Sequence, residues 1–412
     1  MLKNFIKIAW RHLINNKVYS GINILGLAVG MAVTMLIALW IRDELNFNVY
    51  FRNYSRLAQI MTVQTIDGKS SVEEVVSIPL SNELGARYPE FKQTALASGN
   101  GDHILAYKNK KVSQPGMWVQ RSFPSLFSLN LLKGDPAALN DPSSILLAKS
   151  LAYLLFGNTD PINKIIRLDN KMEMKVAGIY EDLPRNTTFY NTKCLLPWDK
   201  YITAEEWIKK GALQWDNHSF LLFAQLNDHV DPGKVNERIK SIPTAHIKGL
   251  KEEIMLYPMN KWHLYSGFKD GKITGGRIQF VWMFGIIGIF VLLLACINFM
   301  NLSTARGEKR AREVGIRKSV GSLRIQLIVQ FLGESVLIAF LALIFAILLL
   351  LLALPFFNNL ADKEMNIPWR SPLFWLLTAG FTLFTGLISG SYPAFYLSGF
   401  KPLSVLKGTF RT

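Results

Sequence analysis

Four stretches of the chain are long and apolar enough to cross a bilayer as helices, which takes roughly 20 residues. Ile22 to Ile41 is the first, apolar apart from Asn23 and Thr34. Phe280 to Ile297 is unbroken, and its helix is expected to run on to Thr304. A third span begins near Leu327, is unbroken from Val336 and ends at Pro355. Leu373 to Leu397 is the fourth, with Gly386, Gly390 and Pro393 predicting a bend near its end. The region between the first two runs has a mixed texture and no comparable run. The pattern predicts a membrane protein of four transmembrane α-helices, with a large α+β extracytoplasmic domain between the first and second.

Charge sets the orientation. The segment joining the second and third spans reads NFMNLSTARGEKRAREVGIRKSVGSLRIQLIVQFLGE, from Asn298 to Glu334. Its residues 303–324 hold Arg306, Lys309, Arg310, Arg312, Arg317, Lys318 and Arg324 against Glu308 and Glu313. A short loop so rich in cations stays cytoplasmic. Both termini then lie inside and residue 43 onward lies outside. Most of the net charge of +16 sits in residues 1–20, this loop and residues 398–412, all beside spans. That distribution fits topology and anionic lipid, and it excludes a nucleic-acid-reading face, which needs a compact basic module.

Residues 2–14 read as an amphipathic interfacial helix, with Leu2, Phe5, Ile6, Ala9 and Leu13 on one side and Asn4, Lys7 and Arg11 on the other. A secretory signal peptide is disfavoured, because the apolar run that follows is long and no small-residue cleavage site is convincing. The full division is interfacial helix 1–18, first span 19–42, extracytoplasmic domain 43–277, second span 278–304, cytoplasmic coupling segment 305–325, third span 326–355, outer loop 356–371, fourth span 372–397 and cytoplasmic tail 398–412.

Within the large domain, Arg56 to Thr65 and His218 to Leu226 read as strands. Ser77 to Tyr88 and Asp231 to Ser241 read as helices, and Ser144 to Leu155 starts apolar and continues as one. Ile165 to Asp169 and Met172 to Tyr180 read as a hairpin turning at Asn170, followed by a loop at Leu183 to Asn186. His103, His218, His246 and His263 read as ordinary surface or partly buried residues. No HExxH, GxSxG or paired-carboxylate pattern raises catalysis. Cys194 and Cys296 fall in different environments, which argues against a disulfide, and no cluster has zinc-ligand spacing.

Polar residues inside spans are candidates for function. Asn298 and Asn301 are one turn apart; they bond another helix or sit at the interface. Glu334 would cost roughly 3 kcal/mol at a bilayer centre. Near the boundary the cost falls, with Arg324 or Arg317 neutralising it or the side chain reaching the headgroups. Gly26 and Gly30 form a small-xxx-small pattern, a helix contact or ordinary glycine usage.

Taken together, the chain resembles the MacB/FtsX family of bacterial ABC-transporter permeases over essentially its whole length. The specific part is Asn298, Ser303, Arg306, then Arg312 to Ser319 with Gly321 and Ser322, followed by Gln326, Gln330, Phe331, Leu332, Glu334 and Ser335. Residues 134–168 and 176–189 look like the family's MacB-like periplasmic core domain, residues 43–47 like its N-terminal module and residues 392–408 like its close. The resemblance implies a non-enzymatic permease subunit in the bacterial inner membrane. Two four-helix units would pair, as a homodimer or as tandem halves of a longer chain, above a cytoplasmic ABC ATPase dimer that uses ATP and Mg. The permease chain itself would bind no cofactor or metal and no nucleic acid. Motion of the ATPase would pass to the outer domains, a mechanotransmission that drives efflux of a drug, peptide or other hydrophobic cargo. A periplasmic adaptor or outer-membrane channel would be a further partner. Alternatives are a non-transporting regulator that activates a cell-wall hydrolase, and a lipoprotein-releasing permease.

By resemblance, Ala305 to Ser322 would meet the ATPase, with Arg306, Arg310, Arg312, Glu313, Gly315, Arg317, Lys318 and Gly321 as the coupling residues. Gly315 and Gly321 would bend or cap its helices. Arg310 or Lys318 would alternatively hold lipid phosphate. The sequence has no P-loop pattern, so it is not expected to be the ATPase or to carry a fused nucleotide-binding domain.

Overall fold

The computed structural model describes residues 17–135, 137–247, 249, 251–305 and 314–400. The predicted interfacial helix over residues 2–14 lies outside them. The described residues form two units, one running through Asp43 and resuming at Phe280, the other Glu44–Gln279.

Four long helices dominate the described residues of the first unit: α1 (Lys17–Leu45), α2 (Ile278–Ala305), α3 (Arg324–Ala361) and α4 (Pro372–Ser398). Each is long and apolar enough to span a membrane. Leu27, Met31 and Met35 of α1 pack with Leu292 and Cys296 of α2 and with Ala339, Ala342 and Ala346 of α3. Small residues let the backbones approach, since packing and not hydrophobicity holds helices together in lipid.

Gly30 has no room for a side chain, because an added Cβ would collide with Ala295 Cβ. At Gly26 the same atom would sit 3.4 Å from Asn298 Nδ2. One turn on, Thr34 Oγ1 lies 2.8 Å from Gly30 O and 3.2 Å from Gly288 O across the interface. Gly30→Leu is therefore expected to force α1 off α2 at about 1–3 kcal/mol, the range of overpacked cores. Thermal unfolding in detergent should register this as a lowered Tm, with Gly26→Ala close to wild type. Equal Tm values for Gly30→Leu and wild type would mean that the two helices do not meet there.

Gly386 and Gly390 do for α4 what Gly30 does for α1. A Cβ on Gly386 would lie 2.7 Å from Val336 Cα, and one on Gly390 2.5 Å from Ser335 Oγ. Their role in this fold is close approach to α3. The third helix also runs through Pro355 to Ala361, past the expected stop at Pro355. A proline removes one donor, and helices in membranes tolerate that loss. The helix ends instead where Asp362 turns left-handed at φ 50° and its N–H bonds Asn358 O. The Asn358 side chain then holds both the N–H and the carbonyl of Met365.

The second unit is built on one sheet. Its main strands are β1 (Leu57–Ile66), β2 (Phe91–Ala97), β3 (Gly101–Tyr107), β4 (Lys110–Val119), β5 (Ser144–Ala148), β6 (Ile165–Leu168), β7 (Met172–Tyr180), β8 (Cys194–Pro197), β9 (Phe220–Leu226) and β10 (Lys251–Pro258). They run in the order β8-β5-β7-β6-β3-β4-β2-β9-β1-β10. Strand β8 also pairs in parallel with β4, from Cys194 opposite Gly116 to Pro197 opposite Val119. Strands β4, β8, β5, β7, β6 and β3 thus close into a ring, joined to the open antiparallel part through Ala97 opposite Val119.

Alternation fills both faces of the ring. Ile145 and Leu147 of β5 and Cys194 and Leu196 of β8 enter one core. Leu146, Ala148 and Leu195 enter the other, with Phe51, Phe123, Phe127, Phe189 and Phe223. Strands buried on both faces read as continuous apolar runs. For that reason the apolar start of Ser144 to Leu155 is strand β5, and its helix begins only at Lys149. Burial also pushes the Cys194 thiol up to about 12. The hairpin of β6 and β7 turns through Asp169 and Asn170, both with positive φ. That geometry is the tight turn that asparagine and aspartate tolerate.

Three histidines carry more of this unit than ordinary surface residues do. His263 Nε2 lies 2.5 Å from Glu44 Oε2, and Glu44 is 1% exposed. The His263 ring also stacks on Phe47, with centroids 3.7 Å apart. Asn48, fully buried at φ 66°, accepts from Thr188 N at 2.7 Å, and its own N–H donates to Asn186 O at 2.8 Å. The segment following α1 is thus fastened to the residues that lead into α2 and to the 183–189 loop. His218 similarly meets buried Glu252 at 2.7 Å, and His103 meets Asp169 at 2.8 Å.

Candidate coupling site at the basic end of the helices

Residues 314–319 are helical and lead into a short turn before α3. The turn follows from Gly321, whose φ of +103° suits glycine. Ser322 N donates to Arg317 O at 3.0 Å and Gly321 N to Lys318 O at 3.1 Å. Those two bonds are a Schellman cap, which ends a helix on a left-handed glycine. Gln326 Oε1 then accepts from Leu323 N at 3.1 Å and opens α3.

Three contacts seat this segment. Val314 is buried with Leu327 and Phe331 of α3 and Ala394 and Leu397 of α4. Arg317 Nη1 donates to Gln330 Oε1 at 2.6 Å, and Gln330 Nε2 donates to Glu334 Oε1 at 3.1 Å. Gln330 and Glu334 are both buried, so Arg317 reaches the Glu334 carboxylate through an amide relay. Lys318 Nζ donates to Ser398 O at 2.6 Å and to Phe400 O at 2.9 Å. The last carbonyls of a helix lack intrahelical partners, and cations are favoured at its C-terminus. Arg324 adds a long contact from Nε to Ser398 Oγ at 3.4 Å.

The outward side of the segment is largely apolar, with Ser319 the exposed polar side chain between Ile316 and Val320. Ile316 is 52% exposed, Val320 84% and Leu323 62%. Gly315 is buried. Lys318, one of the two cations considered for lipid phosphate, sits on helix carbonyls. Asn298 and Asn301 are both exposed, and the Asn298 amide lies beside Gly26 of α1. Arg306, Arg310, Arg312 and Glu313 lie outside the described residues, so among the predicted coupling residues the structure brings together Gly315, Arg317, Lys318 and Gly321. Sequence reasoning missed Ser398 and Phe400, whose contribution is backbone carbonyl and leaves no side-chain signature. It also missed Ile316 and Val320 as a surface.

The chain matches two known families. Residues 20–242 match the MacB-like periplasmic core domain, and residues 285–402 match the FtsX-like permease C-terminal region. It is 23% identical over 348 residues to the uncharacterized ABC transporter permease YknZ of Bacillus subtilis (strain 168), covering 84% of this chain and 78% of that one. It is 22% identical over 356 residues to the macrolide export ATP-binding/permease protein MacB of Burkholderia lata, covering 81% of this chain. The match spans only 47% of that MacB's length. Among solved structures, a permease-protein domain from Porphyromonas gingivalis is 20% identical, covers 50% of this chain and 91% of that domain, and has a TM-score of 0.44. With a core domain that fills more than half of the sequence and a permease region behind it, the chain belongs to the MacB/FtsX-like family of ABC-transporter permeases.

Proposed function

We propose that this chain is the permease part of an ABC exporter whose ATP-driven motion enters at residues 314–323. The observation that carries the reading is the segment itself. It is capped, anchored to the ends of α3 and α4 and largely apolar on its outward side. A rigid segment of that kind transmits displacement, and Ile316 and Val320 supply an apolar contact for an ABC ATPase dimer. The ATP and Mg belong to that partner.

The basic flanks favour a cytoplasmic position for this end of the helices in a bacterial inner membrane, with both termini inside. The large domain is then extracytoplasmic. Asn301, exposed on a membrane helix, favours pairing with a second four-helix unit, where an interhelical hydrogen bond would satisfy its amide. The MacB relatives are named for macrolide export, and a hydrophobic cargo is the corresponding reading here.

Affinity purification of the membrane-extracted protein tests the proposal. An ATPase is expected to co-elute, and replacing Ile316 and Val320 together by Glu should abolish the association, because two carboxylates would be desolvated in the contact. Recovery of the same ATPase with the double variant would move the docking surface elsewhere. Absence of any ATPase from the gently extracted wild type would sink the permease reading.

A further inference from the structure

A groove on the helical unit lies between α1 and α4, with a cavity volume of about 470 Å³. Its walls include Thr34 and Ala38 of α1 and Phe374, Thr378 and Phe381 of α4. One end carries Arg42 and Ser371. From Thr34 to Arg42 is eight residues of helix, about 12 Å. That length is most of one leaflet of a hydrocarbon core about 30 Å thick.

The depth of the mouth can be read independently. Trp369 and Trp375 are about half exposed beside it, and Trp375 Nε1 donates to Trp369 O at 2.9 Å. Tryptophans of this kind settle at the headgroup level. Asp43, next to Arg42, is occupied by Lys363 at 2.7 Å. The groove therefore has a cation at headgroup depth and an apolar floor below it. Water is a poor occupant, since apolar cavities stay dry.

We propose that this groove binds one phospholipid from the leaflet on the side of the large domain, with an acyl tail along Ala38, Thr378 and Phe381 and the phosphodiester on Arg42. A guanidinium suits a phosphate because its planar fork donates two parallel bonds. It has five N–H donors, enough to serve a protein partner and a phosphate together. The occupant is fixed by this polarity: an apolar run that ends in an anion of headgroup type. The site is independent of the cargo and of the ATPase contact.

The test places the full chain in nanodiscs of phosphatidylethanolamine and phosphatidylglycerol, with a trace of phospholipid bearing a mid-chain diazirine. After irradiation, adducts are mapped by peptide mass spectrometry. Adducts should concentrate at Ala38, Thr378 and Phe381 over Leu376 and Leu383, which simply face outward. Ala38→Trp should fill the groove and remove those adducts while leaving Leu376 and Leu383 labelled. Arg42→Gln should lower groove labelling about tenfold, the loss of one charge-assisted contact. Should Ala38→Trp not fold, the wild-type map and Arg42→Gln decide alone. Even labelling of groove and outward positions would overturn the proposal. So would groove positions without adduct, as when a second protein chain covers them, or groove labelling unchanged in Arg42→Gln.

Discussion

His263→Ala is expected to destabilise the large domain by about 1–3 kcal/mol, the cost of taking one hydrogen-bond partner from a buried polar group. The carboxylate left behind belongs to Glu44, which is 1% exposed and meets His263 Nε2 at 2.5 Å. The variant also strips the imidazole from the face of Phe47. Denaturant unfolding followed by the fluorescence of the domain tryptophans measures the loss. Glu44→Gln should be milder, because an amide oxygen can still accept from the imidazole. The double variant His263→Ala/Glu44→Gln should then recover part of the loss, and the cycle isolates the pair. A His263→Ala variant within about 0.5 kcal/mol of wild type, the level of an ordinary surface change, would refute the assignment.

The consequence extends past stability. Glu44 follows the first helix directly, and His263 precedes the chain's entry into the second, where Ile278 N donates to Leu264 O at 2.9 Å. Both strands of the domain's connection are tied to each other within the domain. Glu44 and His263 therefore hold the two connecting segments together on the domain side.

The membrane helices were legible because each is a local property: an apolar run of sufficient length. The β6–β7 hairpin was legible for the same reason, since Asp169 and Asn170 announce their own positive φ. Pairings between distant segments were not. Strand β8 closes the ring on β4 across a long separation, and nothing in CLLP at Cys194 to Pro197 names its partner. The glycines of α4 show a second limit. Gly386 and Gly390 beside Pro393 read as a bend, yet their missing side chains serve Ser335 and Val336 on another helix. Sequence identifies a small residue but not which neighbour needs the space. His263 shows a third, because a lone histidine has no spacing pattern and its partner lies 219 residues away.

Under the proposed coupling, Lys318→Met is expected to uncouple the permease while leaving the proposed ATPase partner bound. The side chain keeps its unbranched apolar stem but loses the ammonium and with it both bonds, to Ser398 O and to Phe400 O. Hydrogen bonds to a charged group contribute about 1.5–3 kcal/mol each, so roughly 3 kcal/mol of seating energy is a conservative loss. At about 1.4 kcal/mol per factor of ten, the ratio of seated to unseated segment falls by roughly a hundredfold. Val314 and the Arg317–Gln330–Glu334 relay still hold part of the segment, so the effect on transport should be smaller, at least tenfold. Reconstituted transport and permease-stimulated ATP hydrolysis should both drop, while co-elution of the ATPase persists through Ile316 and Val320. Lys318→Arg should restore much of the activity, because a guanidinium also donates to helix carbonyls. The Ile316 and Val320 double variant predicts the opposite pattern, with association lost first. If Lys318→Met transports at the wild-type rate, seating on α4 is not the path of the motion. If it releases the ATPase as the glutamate variant does, Lys318 belongs to the docking surface, and the relay must run through α3 alone.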